Sequence, residues 1–151
     1  MTYEELIEET GAMIGIEGFA PDADGICVLA SDIAEIVIMD CREDPRGLVL
    51  LNAAVADVPP EAGPALLEAL KANRGFRDTK GSTLSVDPET RRFELSRYAF
   101  LEGLEPDRFV AIIEDFATAL ADVRAKIERA QLSGDPDDVS ESLGMEQFMR
   151  V

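Results

Sequence analysis

The chain of 151 residues contains 31 acidic and 14 basic residues and no histidine, and its formal net charge is −17. Its length predicts a single domain, and a hydrophobic content of 46% is sufficient for a core. So acidic a surface repels nucleic-acid phosphates and anionic lipids, which makes nucleic acid and membrane poor partners. The absence of histidine excludes Ser-His-Asp and Cys-His catalysis and every His-ligated metal site.

We expect no targeting signal at the beginning of this sequence. Its first twenty residues contain several glutamates and no lysine or arginine, whereas a signal peptide needs a basic start. No apolar run approaches the length of a membrane span. Cys27 and Cys41 lie in apolar stretches, and we interpret them as buried, reduced thiols of a cytoplasmic protein. A redox switch is the alternative, and no basic neighbour of Cys27 favours it.

The first predicted element is an amphipathic helix. Thr2 and Glu5 have the spacing of a capping box, and apolar residues then recur every three or four positions until Gly15. The glutamates between them predict a solvated outer face.

Three strand-like runs follow, at 26–30, 33–41 and 48–55, and Ser31-Asp32 predicts a hairpin between the first two. Both alternating sets of positions are apolar in the second and third runs, as in Leu48-Val49-Leu50-Leu51. A sheet that is apolar on both faces must be covered on both. Helices of the chain can cover one face, and the sequence leaves open what covers the other.

The second half adds a helix over 64–73, strands over 82–86 and 91–98, and a long helix that begins at Pro106. We interpret 1–130 as the folded domain and 131–151 as an acidic, mobile tail. The alternative is that 143–151, which contains Met145, Phe148 and Met149, docks as one helical turn.

Recognisable site chemistry is missing from the sequence. The spacing of Gly11, Gly15 and Gly18 does not form a phosphate loop, and two cysteines alone do not make a zinc site. Acid pairs such as Glu114-Asp115 fall on the outer side of the long helix. We therefore expect no enzyme, no cofactor and no metal.

The order and spacing of four motifs resemble those of the class I type III secretion chaperones, the Tir chaperone (CesT-like) family. The motifs are DGICVL at 24–29, LLEALKAN at 66–73, LSVDPETRRFEL at 84–95 and the segment 104–116. The resemblance spans about residues 3–128. Many members carry a tryptophan in the last helix, and this chain has none.

The resemblance implies an α+β fold in which helices flank a twisted antiparallel sheet, in the order helix, three strands, helix, two strands, long helix. It implies a bacterial cytoplasmic homodimer, without nucleotide or metal, that holds the N-terminal segment of a secreted effector in extended, secretion-competent form. A secretion ATPase or a regulatory protein is a further partner that such chaperones can have.

Residues are carried over from the family by position. The implied client-binding candidates are Ile7, Cys27, Leu29, Val37, Met39, Val49 and Leu51. The implied dimer-interface candidates are Leu66, Leu67, Leu70, Leu84 and Val86.

Two alternatives remain at this point. One is a YbjN-like regulatory or stress-response domain of the same fold without a secretion client. The other is a small-ligand-binding α+β domain, which requires a closed pocket on the sheet.

Overall fold

The computed structural model describes residues 1–32 and 34–133. Its elements are α1 (Tyr3–Ile14), β1 (Ile26–Ala30), β2 (Glu35–Cys41), β3 (Leu48–Asp57), α2 (Gly63–Asn73), a 3-10 turn (Arg74–Phe76), β4 (Thr83–Asp87), β5 (Arg92–Phe100) and α3 (Pro106–Leu132). This is the predicted order, and the predicted α+β fold is confirmed. The segment predicted to be a tail lies outside the described residues from position 134 onward.

The capping box forms at the start of α1. The Glu5 amide donates to Thr2 Oγ1 at 3.2 Å, and the Thr2 amide donates to Glu5 Oε2 at 2.7 Å. Two orphan donors of the first turn are thereby satisfied. The helix ends at Gly15, whose φ of 78° is a left-handed conformation that glycine adopts without strain.

The five strands form one antiparallel sheet in the order β1-β2-β3-β5-β4. Pairing with β5 explains why β3 runs to Asp57 and β5 to Phe100, two residues beyond their predicted ends. Asp57 pairs with Arg92 at one end of this ladder, and Leu48 pairs with Phe100 at the other. A bulge between Ala54 and Ala56 interrupts the ladder near its Asp57 end.

One face of the sheet carries the core. Strand pairing aligns Cys27 with Ile38 and Ile38 with Leu51, and all three side chains are buried. Buried side chains from all three helices join them in a single cluster. The largest of its fully buried members are Phe93, Phe109, Phe116, Leu6, Ile7, Ile38, Leu51 and Leu95. The helices therefore cover the face to which these residues belong.

Helix α2 packs with its small residues inward. Ala65, Ala69 and Ala72 are buried, whereas Leu66 and Leu70 are 40% and 69% exposed. The predicted leucine face exists, but it is the outer face. The Asn73 side chain accepts from the Leu84 amide and donates to the Leu84 carbonyl, both at 2.8 Å, and so fixes the end of α2 to β4.

Candidate functional site

The sheet face opposite the core carries an exposed apolar surface. Val28, Tyr98 and Phe100 are 49%, 61% and 59% exposed, and their neighbours on this face are only partly buried. Most exposed apolar side chains on proteins occur singly, so a group on one sheet face is informative. We name this group the open patch, and its members are Val28, Val37, Met39, Leu50, Tyr98 and Phe100.

Strand pairing makes the open patch continuous. Leu50 pairs with Met39 on one side and with Tyr98 on the other, so these three side chains form one row across three strands. Val37 pairs with Val28 in the adjacent row, two residues along β2 from Met39. Side chains that are directly opposite in an antiparallel pair lie about 5 Å apart, close enough to contact one neighbouring ligand.

A polar cluster limits the open patch toward the far end of β3. The Asn52 amide group donates to Glu94 Oε2 at 3.2 Å and to Ser96 Oγ at 3.3 Å. All three side chains belong to the same face as the patch, because Asn52 pairs with Val37 and with Ser96. The face is thus apolar near Leu48 and Phe100 and polar near Asp57.

An acidic cleft borders the other end of the patch. It is open, has a volume of about 590 Å³, and is lined by Tyr98, Leu48 and Cys41 together with acidic residues that include Asp44. Arg46 donates to the Asp44 carboxylate through Nε at 2.8 Å and Nη2 at 2.6 Å. These hydrogen bonds lower the pKa of Asp44 to about 2, so it stays ionised at neutral pH.

The two cysteines lie on opposite faces. Cys27 is buried in the core, where its sulfur lies 3.7 Å from the Tyr3 hydroxyl. The same hydroxyl donates a hydrogen bond to the Ile38 carbonyl at 3.2 Å. Cys41 is only partly buried, which corrects the expectation that both are buried. Burial raises the pKa of both thiols, and Asp40 and Asp44 raise that of Cys41 further. Neither thiol is therefore activated as a thiolate.

Four of the predicted client-binding residues are in the core. Ile7, Cys27, Val49 and Leu51 are no more than 5% exposed, because they face the helices. Leu29 pairs with buried Ile36 and shares that orientation. The sequence does not decide which strand faces are exposed, and the structure turns these side chains toward the core, so their role in client binding stays a prediction that their burial does not favour. Val37 and Met39 have the opposite orientation and lie in the open patch.

The predicted interface residues also divide into two groups. Leu84 is buried in the core of its own chain, so its place in or beside an interface stays a prediction. Leu66, Leu70 and Val86 are exposed, and Leu67 is partly buried. We name Leu66, Leu70 and Val86 the α2 patch, after the helix that carries two of them.

Sequence reasoning missed Val28, Leu50, Tyr98 and Phe100 as members of an exposed surface. The alternation of apolar and polar residues along β5 could have identified two of them, Tyr98 and Phe100. Phe93 and Leu95 alternate with Arg92, Glu94 and Ser96, and this alternation assigns Tyr98 and Phe100 to the face opposite the core.

Within residues 1–32 and 34–133, no group of three or more acidic or cysteine side chains is placed to hold a metal ion. In the same part of the chain, no helix combines the length and the apolar character that crossing a membrane requires.

Most of the chain matches one protein family. The family model described as Tir chaperone protein (CesT) family matches residues 5–124. No curated protein sequence matches significantly.

Several solved structures share the fold. In the ExsC–ExsE complex, the matched chain is 19% identical with a TM-score of 0.65, and the match covers 78% of this chain and 86% of that one. The Yersinia pestis type III secretion chaperone SycH, in complex with a fragment of YscM2, is 13% identical with a TM-score of 0.63 and coverages of 80% and 98%. The matched chain of the HopA1–SchA chaperone–effector complex is 17% identical with a TM-score of 0.61, and the match covers 83% of this chain and 93% of that one.

Proposed function

Because the chain belongs to the Tir chaperone protein (CesT) family, we propose that its open patch binds the N-terminal segment of a secreted effector in extended form. The predicted class, a type III secretion effector chaperone, agrees with the family match and with similar solved structures, which include a type III secretion chaperone and a chaperone–effector complex. The observation that carries the proposal is the continuous apolar row Met39, Leu50 and Tyr98 on a face that no helix of the described chain covers.

The chemistry of the open patch suits an unfolded segment. Its side chains come from four strands and form no closed pocket, so they contact alternate side chains of an extended peptide. Ordering such a segment costs conformational entropy, and affinity must therefore come from many contacts over a large surface. The described clefts are open to solvent, which does not favour the small-ligand alternative.

The α2 patch supports a homodimer. Helix α2 buries alanines and exposes leucines, so these larger apolar side chains face away from its own core. Covering Leu66 and Leu70 with a partner removes their apolar surface from water, which is favourable. Val86 is also exposed, on the edge strand β4, which packs beside α2. We propose that two copies associate through this patch, which leaves both open patches free for clients.

The remaining parts of the proposal concern reaction and location. The family is a family of chaperones rather than of enzymes. We propose that this chain has no catalytic activity and that it acts in the bacterial cytoplasm, where effectors are held before export. The net charge of −17 supports the proposal, because it keeps a protein with exposed apolar patches soluble.

The test introduces a glutamate at each of three positions in turn: one in the open patch, one at an exposed site elsewhere and one in the core. Met39→Glu places a charge in the open patch, where docking desolvates it, and the cost of about 1–3 kcal/mol weakens client binding roughly 5- to 150-fold. Because the Met39 side chain is only partly buried and lies on the face opposite the core, the introduced charge stays hydrated in the free protein, and the melting temperature falls far less than it does for a core substitution. Calorimetric titration with the N-terminal segment of an effector encoded beside this gene measures the first effect, and thermal melting measures the second.

Two matched substitutions serve as controls. Leu132→Glu alters an exposed leucine at the end of α3 and leaves binding and melting intact. Val49→Glu places the same charge in the core and unfolds the chain. Normal binding by Met39→Glu would contradict the assignment of the open patch.

A further inference from the structure

The part of the chain that follows α3 has no counterpart in the family match. The family model ends at residue 124, and α3 ends at Leu132. Residues 134–142 contain four acidic residues and no basic one, whereas 143–151 contain five apolar residues and one charge of each sign. The segment thus consists of an acidic linker followed by a short, apolar, net-neutral sequence.

The end of α3 lies beside the polar end of the open face. Gln131 Nε2 donates to the Asp57 carbonyl at 3.2 Å, and Arg124 Nε donates to the Val55 carbonyl at 3.0 Å. Leu50 lies seven residues back along β3, which corresponds to roughly 23 Å. Passing from the helix layer to the sheet adds roughly 10 Å.

The linker has sufficient length for this path. Leu143 is ten residues beyond Ser133 and therefore reaches up to about 33 Å, and Phe148 reaches up to about 50 Å. The path first crosses the polar part of the face, which includes Arg92. It then arrives at the apolar row of Met39, Leu50 and Tyr98.

We infer that residues 143–151 bind the open patch of their own chain when no client is present. The segment 143–151 supplies apolar side chains that can cover the open patch, namely Leu143, Met145, Phe148 and Met149. The net neutrality of 143–151 matters, because the cleft beside the patch is acidic and would repel a negatively charged segment. The role as a competitor of the client rests on the proposed function, whereas the contact itself does not.

A tethered segment needs little intrinsic affinity. A linker of this length gives an effective concentration in the millimolar range, so even a weak contact is substantially occupied. The apparent affinity for a client then falls in proportion to the fraction of chains whose patch is free. The segment shields the patch without preventing its use.

Cys41 is a native reporter of the contact. It lies on the face of the open patch, two residues from Met39, whereas Cys27 is buried in the core. The experiment measures maleimide labelling of Cys41 by mass spectrometry in the full chain and in Phe148→Ser/Met149→Ser. Serine leaves the net charge, and hence the electrostatics around the thiol, unchanged. We expect labelling of Cys41 to become on the order of threefold faster in the double variant, as the free fraction of the patch rises.

Val139→Ser in the linker is the matched control and keeps the original rate. Unlabelled Cys27 verifies that every variant is folded. Equal rates for Cys41 in the full chain and the double variant would overturn the inference.

A disulfide experiment identifies the chain to which the segment binds. In the Phe148→Cys variant, mild oxidation should join the introduced thiol to Cys41 within one chain, whereas the Val139→Cys variant should remain unlinked. A product that joins two chains would overturn the inference in favour of docking on a second copy. Unchanged labelling together with lost client binding by Met39→Glu would overturn only the inference and leave the proposed function intact.

Discussion

Gly11 is a residue whose importance comes from one close contact. A Cβ atom at this position would lie 2.5 Å from Phe19 Cβ, inside the shortest distances that carbon atoms tolerate. In an open helix, Gly→Ala stabilises by about 1 kcal/mol. We expect Gly11→Ala instead to lower the stability of the protein, because Phe19 and the chain that follows α1 must move.

Gly63 provides the comparison in the same fold. It begins α2, and a Cβ there would meet nothing within 4 Å. Gly63→Ala should therefore be neutral or slightly stabilising in urea unfolding at equilibrium. A Gly11→Ala protein as stable as Gly63→Ala would show that the contact with Phe19 is soft.

The hydrogen bonds between Asp44 and Arg46 predict a lowered pKa for the Asp44 carboxyl group. Its pKa is lowered by Arg46, so the favourable interaction is present above the ordinary pKa of an aspartate and is lost as the pH falls toward about 2. Arg46→Ala should raise the pKa of Asp44 toward the ordinary value of 3.8. A carboxyl-detected NMR titration of both proteins checks the direction. An unchanged pKa would mean that the amide of residue 46, rather than the guanidinium, holds the carboxylate.

At the scale of the element, substitutions on the two faces of α2 should have different effects, one on dimer formation and the other on folding. Leu70 is exposed, so Leu70→Asp should leave the far-UV circular dichroism of the protein unchanged while it splits the proposed dimer at micromolar concentration. Ala69→Asp, one residue earlier, buries its charge in the core cluster and should unfold the chain. Light scattering that shows a wild-type monomer, or a dimeric Leu70→Asp, would refute the role of the α2 patch.

The elements themselves were readable from the sequence, because caps, prolines and turns mark their ends. Thr2, Gly15 and Pro106 mark predicted helix boundaries, and each lies within one residue of the boundary that the structure shows. The orientation of β3 was not readable, since Leu48, Val49, Leu50 and Leu51 are apolar on both sides. A strand of this kind acquires an inner face only through its partners. Pairing with β5, which is distant in sequence, decided that Val49 faces the core and Leu50 the open patch.

For the whole molecule, the net charge and the open patch make different demands on client binding. At 0.5 M salt, screening shortens electrostatic interactions to about 4 Å, whereas apolar contacts persist. We expect the client segment to remain bound at 0.5 M salt, with a slower association rate. Titrations at low and high salt check this expectation. Complete loss of binding at high salt would mean that the charge of −17, rather than the open patch, holds the client.

The alanine face of α2 also has a thermodynamic consequence. Alanine loses no rotamer freedom on burial, so packing Ala65, Ala69 and Ala72 against the rest of the chain leaves the side-chain entropy almost untouched. The exposed Leu66 and Leu70 retain their rotamers and their hydration until something covers them. Whatever covers them therefore freezes these side chains and releases that water, and the heat capacity of the system falls at that step. The calorimetric signature of this helix belongs to association more than to folding.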